Sequence, residues 1–123
     1  VMIRNGQDAV PDVDPAKARL EPVLRYLEEH YGESLPVAEA AEFCRLSERQ
    51  FHRLFKRCMK MTYVEYVQNV RIDQSCRLLR DSMMTVSEIA GLVGYQDMKF
   101  FNLLFKKKTG MTPRQYRQRV SRS

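Results

Sequence analysis

Tryptophan is absent from this 123-residue chain, histidine occurs twice and cysteine three times. Cys44, Cys58 and Cys76 are odd in number and widely spaced, which argues against a disulfide framework and against a zinc site. All three fall on apolar helical positions and are expected to be buried, each acting as a small hydrophobe. Reduced thiols fit a cytoplasmic protein. His30 and His52 lie on separate predicted helices, and no carboxylate pair, phosphate loop or metal-ligand spacing is present. The expectation is therefore no catalytic residue, no metal, no cofactor and no enzyme activity. A repair protein with a reactive Cys is the enzymatic alternative, and burial of the three thiols weighs against it. No apolar run approaches the roughly 20 residues needed to span a bilayer. The opening VMIRNGQDAV lacks the apolar core of a signal peptide. It begins on Val1 rather than Met, so a fragment of something longer is expected.

Acidic residues are scarce in one part of the chain only. Residues 1–46 hold five Lys/Arg and nine Asp/Glu, a net −4; residues 47–123 hold sixteen and six, a net +10. A basic segment of this kind points to a polyanion such as nucleic acid. The bland reading is a merely soluble basic surface.

What is present is one unit written twice. Phe51–Val70 and Phe101–Val120 align at a constant offset, pairing Phe51, Leu54, Phe55 and Lys56 with Phe101, Leu104, Phe105 and Lys106. Met61, Thr62, Tyr66, Gln68 and Val70 then pair with Met111, Thr112, Tyr116, Gln118 and Val120. Upstream the offset is one shorter, pairing Val37, Glu39 and Ala41 with Val86, Glu88 and Ala90. The second copy therefore holds a turn one residue longer. A repeat of this clarity decides the architecture before any other feature of the fold.

The helix signals give seven helices and no strand. Residues 1–14 read as a linker, with Asn5-Gly6 and Pro11 as turn-formers. Asp14-Pro15 can cap and start the first helix. Leu20, Val23, Leu24, Leu27 and Tyr31 form its apolar face. Pro22 requires that helix either to begin near Glu21 or to bend there. Gly32 is the expected C′ residue. Later helices are expected over 36–44, 47–59, 62–80, 86–93 and 98–109, with a last one from Pro113. Ser47-x-x-Gln50, Thr62-x-x-Glu65, Thr85-x-x-Glu88 and Thr112-x-x-Gln115 are capping boxes. Asp97 is an N-cap without the box. In each copy a short helix, a tight turn and a second helix with a polar face make a helix-turn-helix. Ala41 and Ala90 are small where the helices cross, and Gly94 permits the turn.

The helix over 47–59 buries Phe51, Leu54, Phe55 and Cys58 and turns out Arg49, His52, Arg53 and Lys56, with Gln50 at the edge. Arg on guanine and Gln on adenine are standard major-groove pairings. The helix over 98–109 buries Phe101, Leu104 and Phe105 and turns out Lys99, Asn102, Leu103 and Lys106. A slight rotation would instead place Leu103 in the core. Arg114, Arg117, Arg119 and Arg122 extend the basic surface. The base-reading candidates are Arg49, Gln50, His52, Arg53, Lys99, Asn102 and Leu103. The phosphate candidates are Ser47, Lys56, Arg57, Asp97, Lys106, Lys107 and Arg114. A central helix from Tyr63 to Arg80 is about 27 Å long, against about 34 Å between successive major-groove windows. One chain could then read a long asymmetric duplex site. The rival reading is a helical protein–protein interaction module, which expects no salt-dependent DNA binding.

The run IAGLVGYQDMKFFNLLFKKKTGMTPRQYR (Ile89–Arg117) resembles the signature of the AraC/XylS family of bacterial transcription regulators. Ala90, Gly94-Tyr95, Asp97, Phe101, Phe105-Lys106-Lys107, Gly110, Thr112-Pro113 and Tyr116-Arg117 fall in register. The first copy is similar at Ala41, Ser47, Phe51, Arg53 and Leu54-Phe55-Lys56, and the central helix at Arg71-Ile72 and Leu78-Leu79. The resemblance covers about Leu20 to Val120. It implies an all-α DNA-binding domain over 15–123 of seven helices, in which two helix-turn-helix subdomains (about 20–61 and 82–123) are joined by a long linker helix (62–81). It implies a double-stranded operator as partner, with RNA polymerase a further candidate and no membrane. It also implies a monomeric isolated domain and a dimeric full-length protein through an upstream domain. Leu103 stands where the second lobe usually has Arg, Lys60 where Gly is expected, and Pro36 where Ser or Thr usually caps.

Overall fold

The computed structural model describes residues 15–121. The expected linker 1–14, the Asp14 cap and Arg122 lie outside the described residues. Eight helices, not seven, are present among them: α1 (Pro15–Ala18), α2 (Glu21–Glu29), α3 (Val37–Phe43), α4 (Glu48–Met59), α5 (Tyr63–Asp81), α6 (Val86–Leu92), α7 (Met98–Thr109) and α8 (Pro113–Ser121). No strand occurs among the described residues. The extra helix arises because the first expected helix breaks at Arg19–Leu20. Pro22 is the second residue of α2, where a missing N–H breaks no intrahelical bond. The Leu20 carbonyl accepts from Val23 N–H at 3.1 Å and Leu24 N–H at 3.0 Å and so starts α2.

Gly32 corrects a second expectation. It is not in the left-handed region; among the described residues the glycines with positive φ are Gly94 and Gly110. A Cβ at Gly32 would instead collide with the Leu92 carbonyl. The glycine is needed for close backbone approach rather than for a cap.

Two compact units form. One comprises residues 15–26 and Leu35–Tyr63; the other comprises Leu27–Ser34 and residues 64–121. The first unit buries Leu20, Val23, Ala40, Ala41, Cys44, Phe51, Phe55 and Tyr63. Tyr63 stands edge-on to Phe51 (centroids 5.3 Å) and Phe55 (5.6 Å), a favourable aromatic arrangement. Its hydroxyl donates to the Leu35 carbonyl at 2.8 Å. The second unit packs Ile72, Leu78 and Leu79 of α5 against Ile89, Ala90, Val93, Phe101, Leu104 and Phe105. The buried Ser75 hydroxyl is satisfied by the Ile72 carbonyl at 2.7 Å.

Both helix-turn-helix turns have the same hydrogen bonds. Leu46 N–H reaches Ala41 O (3.0 Å) and Arg45 N–H reaches Glu42 O (3.0 Å); Tyr95 N–H reaches Ala90 O (2.8 Å) and Gly94 N–H reaches Gly91 O (3.1 Å). This pairing is a Schellman motif, which needs a left-handed residue at C′. Gly94 fills it at φ 105° and Arg45 at φ 57°. The repeat also continues past the second helix of each motif, where Lys60 (φ 62°) and Gly110 (φ 89°) are equivalent left-handed caps. The extra residue in the second copy is Gln96, between the end of that motif and the Asp97 cap. Capping boxes are formed at Ser47, Thr85 and Thr112. Pro36 starts α3 with no side-chain cap, as its replacement of Ser or Thr requires.

Left-handed geometry costs a side-chain-bearing residue about 1–2 kcal/mol. Lys60→Gly should therefore stabilise the first unit by about 0.5–1 kcal/mol, part of the gain being offset by unfolded-chain entropy. Urea unfolding should show a higher midpoint at unchanged slope. A lower midpoint would mean that the Lys60 side chain contributes more than its backbone costs.

Candidate nucleic-acid interface

Helix α4 is fixed by Phe51 and Phe55, both fully buried on its inner face. Leu54 and Cys58 on that face are only half-buried. The opposite face carries Arg49, Gln50, His52, Arg53, Lys56 and Arg57, all exposed. Among the described residues no ion pair involves these cations. At the helix start, Gln50 N–H donates to Ser47 Oγ (3.1 Å) and Ser47 N–H donates to Gln50 Oε1 (3.0 Å). Bidentate reading of adenine needs both ends of a glutamine amide. Closure of the box therefore leaves Gln50 its NH2 as the outward group.

Helix α7 repeats the arrangement with less charge. Phe101, Leu104 and Phe105 are buried, while Lys99, Asn102, Leu103, Lys106, Lys107 and Lys108 are exposed. Leu103 is 63% exposed, so helix α7 is not rotated to bury it. Asp97 Oδ1 accepts from Phe100 N–H at 3.1 Å and so is spent as the N-cap. Asn102 and Arg114 meet at a shared cleft of about 350 Å³, lined also by Val86, Met98, Thr112 and Pro113. Pro113 is buried at N1 of α8, where its missing N–H is harmless.

Arg117 corrects the reading of α8 as a uniformly basic surface. Its Nε donates to Leu79 O (3.1 Å) and its Nη2 to Ser82 O (3.2 Å), so it satisfies carbonyls at the end of α5. Arg71 is a similar structural group that sequence reasoning missed. Its Nε donates to Tyr31 O (2.7 Å) and its Nη2 to Glu33 O (3.2 Å). Its guanidinium lies 5.1 Å over the Tyr95 ring. Tyr95 in turn packs on Phe101 of α7 at 5.9 Å. The signal was an arginine lying on the buried stripe of a helix: Arg71 precedes Ser75 and Leu78 at spacings of four and seven.

The cysteines also depart from expectation. Cys44 is buried, but Cys58 and Cys76 are only half-buried. Burial pushes the thiols of Cys44 and Cys76 above their ordinary range. Neither is therefore poised as a thiolate nucleophile at neutral pH. Alkylation of native Cys44 by iodoacetamide should be at least about tenfold slower than that of the urea-unfolded chain at pH 7.5. Mass spectrometry resolves the site; equal rates would show Cys44 to be accessible and activated. No helix of the described residues is long and apolar enough to cross a membrane.

Residues 40–119 match the family described as a helix-turn-helix domain. A bifunctional transcriptional activator and DNA repair enzyme, AdaA of Bacillus subtilis (strain 168), is 35% identical over 96 residues, 78% of this chain and 46% of that protein. The chain thus spans under half the length of the curated relatives it matches. A transcriptional regulator of Chromobacterium violaceum, described as having an AraC-type DNA-binding domain, shares the fold at a TM-score of 0.80 and 22% identity, covering 86% of this chain and 95% of that one. The DNA-binding domain of AdpA, solved with a target DNA, aligns at a TM-score of 0.76 and 26% identity, covering 86% and 92%. With the family match spanning more than half its length and two helix-turn-helix motifs in place, this chain belongs to the helix-turn-helix domain family.

Proposed function

We propose that this chain is the sequence-specific, double-stranded DNA-binding part of a bacterial transcription regulator. The observation that carries the reading is α4: a helix held by two buried phenylalanines with six exposed polar or cationic side chains on its outer face. In this reading Arg49, Gln50, His52 and Arg53 of α4 and Lys99, Asn102 and Leu103 of α7 face bases in successive major-groove windows. Lys56, Arg57, Lys106, Lys107 and Arg114 stand toward phosphates, while Ser47 and Asp97 act only indirectly, by capping the helix starts whose backbone N–H groups face the duplex. The domain itself performs no catalysis. It works in the cytoplasm, is monomeric when isolated, and dimerises or meets RNA polymerase in the context of a longer protein. The raised thiols of Cys44 and Cys76 weigh against a repair reaction at either of these two cysteines.

Six to ten phosphate contacts give a log–log salt slope of about −5 to −9. Titration of a duplex selected from a random library should show that slope, with two protected major-groove windows in footprints. Affinity unchanged between low and physiological salt would favour the protein-interaction reading instead.

A further inference from the structure

The two copies of the repeat differ in chemistry along one flank of their second helices. In α4 that flank is Gln50, Arg53 and Arg57, which share the wall of one cleft. The equivalent places in α7 hold Phe100, Leu103 and Lys107. Gln50 and Phe100 are each the third residue of their helix, which fixes the register. An amide and a guanidinium are thus exchanged for a phenyl ring and an isobutyl group, while the cation after them is kept. Both apolar groups are in the open: Phe100 is 44% and Leu103 63% exposed. Three residues apart on one helix, their Cβ atoms are neighbours at about 5–6 Å and the side chains form one patch. Lys99, Lys106 and Lys107, all exposed, flank that patch.

Phe100 is also held in place. Its ring packs on Tyr95 (centroids 5.7 Å), and Tyr95 packs on the buried Phe101 (5.9 Å) under the Arg71 guanidinium (5.1 Å). A ring that is already ordered loses little freedom when a partner covers it. The partner must offer two things together: negative charge for the lysines and small apolar groups for the patch. The major groove of DNA offers both wherever thymine stands, because the C5-methyl group projects into it and phenylalanine is among the side chains that contact it there. Successive nucleotides of a strand are about 3.4 Å apart along the axis, so two side chains at this spacing reach neighbouring thymines.

We infer that Phe100 and Leu103 form an apolar reader for thymine C5-methyl groups, which makes Phe100 a further base-contacting residue of α7. The inference rests on the proposed DNA function and adds to it the chemistry of one half of the site. Helix α4 selects its bases through hydrogen bonds, and α7 selects its bases through methyl groups. The two halves of the operator therefore differ in kind, one set by donor and acceptor pattern and the other by thymine. A protein surface is the rival occupant of the patch, and it gives no reason for affinity to depend on a single methyl group in DNA.

The test removes the methyl groups and nothing else. In a duplex selected by the whole chain from a random library, each thymine is replaced in turn by uracil, which keeps the O4 acceptor and the pairing with adenine. One or two neighbouring thymines should be sensitive, each losing about two- to fivefold in affinity with its methyl group. At those positions Phe100→Ala and Leu103→Ala should each bring the thymine-to-uracil affinity ratio toward one. Arg53→Ala should lower affinity and leave that ratio as it is. A merely structural role for Phe100, acting through Tyr95, would weaken thymine and uracil duplexes alike and preserve the ratio. A ratio lost in Leu103→Ala alone therefore overturns the assignment of Phe100. A ratio retained in both variants overturns the whole inference, as does a selected duplex in which no thymine is sensitive to uracil. Those results leave the DNA reading standing. Failure of the parental chain to bind any duplex rejects that reading and the inference with it.

Discussion

Arg71→Ala should destabilise the second unit by about 2–3 kcal/mol, more than any surface change in the chain. The guanidinium holds the carbonyls of Tyr31 and Glu33 and stacks on Tyr95. A charged hydrogen bond contributes about 1.5–3 kcal/mol and an exposed cation–π contact about 0.5–1. The sum is discounted because the bond to Glu33 is solvent-exposed. Tyr95 touches Phe100 and Phe101, so its release also loosens the start of α7. Arg71→Lys keeps the charge but not the planar fork, and should recover less than half of the loss. Gly94→Ala tests the same joint from the other side. A Cβ there would lie 2.7 Å from Arg71 Cζ, and its φ of 105° disfavours any side chain. Hydrogen exchange should report the effect at Ile89, Phe101 and Phe105 before Phe51 and Phe55. Arg71→Ala within about 0.5 kcal/mol of the parent, the range of a neutral surface site, would show that the stretch 31–33 is held by something else.

That arginine marks the boundary of what was legible in the sequence. Helices α3 to α8 were readable because each announces itself locally. Ser47 with Gln50 and Thr85 with Glu88 signal starts three residues apart, and Phe51 with Phe55 fixes a face at spacing four. The repeat then checked each feature against its copy, down to Lys60 standing for Gly110. The one-residue difference between the turns was visible, and the structure assigns it to Gln96. Bonds from Arg71 to Tyr31 and from Arg117 to Leu79 join residues 40 and 38 positions apart. No local pattern encodes such a partner, because a backbone carbonyl has no residue identity. Gly32 failed for the same reason: its constraint is the Leu92 carbonyl, not its own dihedral angle. That the candidates on α4 and α7 would be exposed could be read because exposure follows from the buried stripe. What each outward side chain touches on a partner lies outside that logic.

Arg53→Ala should cost about 1–3 kcal/mol of binding to a selected duplex and relax preference in one half of the site. Arg53 and Leu103 occupy equivalent places in the repeat, and both are exposed. An arginine can fork onto guanine O6 and N7, whereas leucine offers only van der Waals contact to a thymine methyl. With Leu103 at 63% exposure its side chain contributes little to the core, so Leu103→Ala should leave stability nearly unchanged. Its cost in binding should be smaller than that of Arg53→Ala. Leu103→Arg should raise affinity for duplexes of any sequence and steepen the salt slope by about one. The salt dependence of Arg53→Ala separates two roles. If Arg53 reads a base, its removal should weaken the selected site far more than a scrambled one. If it holds a phosphate, its removal should weaken both alike and flatten the slope by about one. An Arg53→Ala loss no larger than that of Leu103→Ala, in variants with parental unfolding curves, would reject the asymmetry between the motifs.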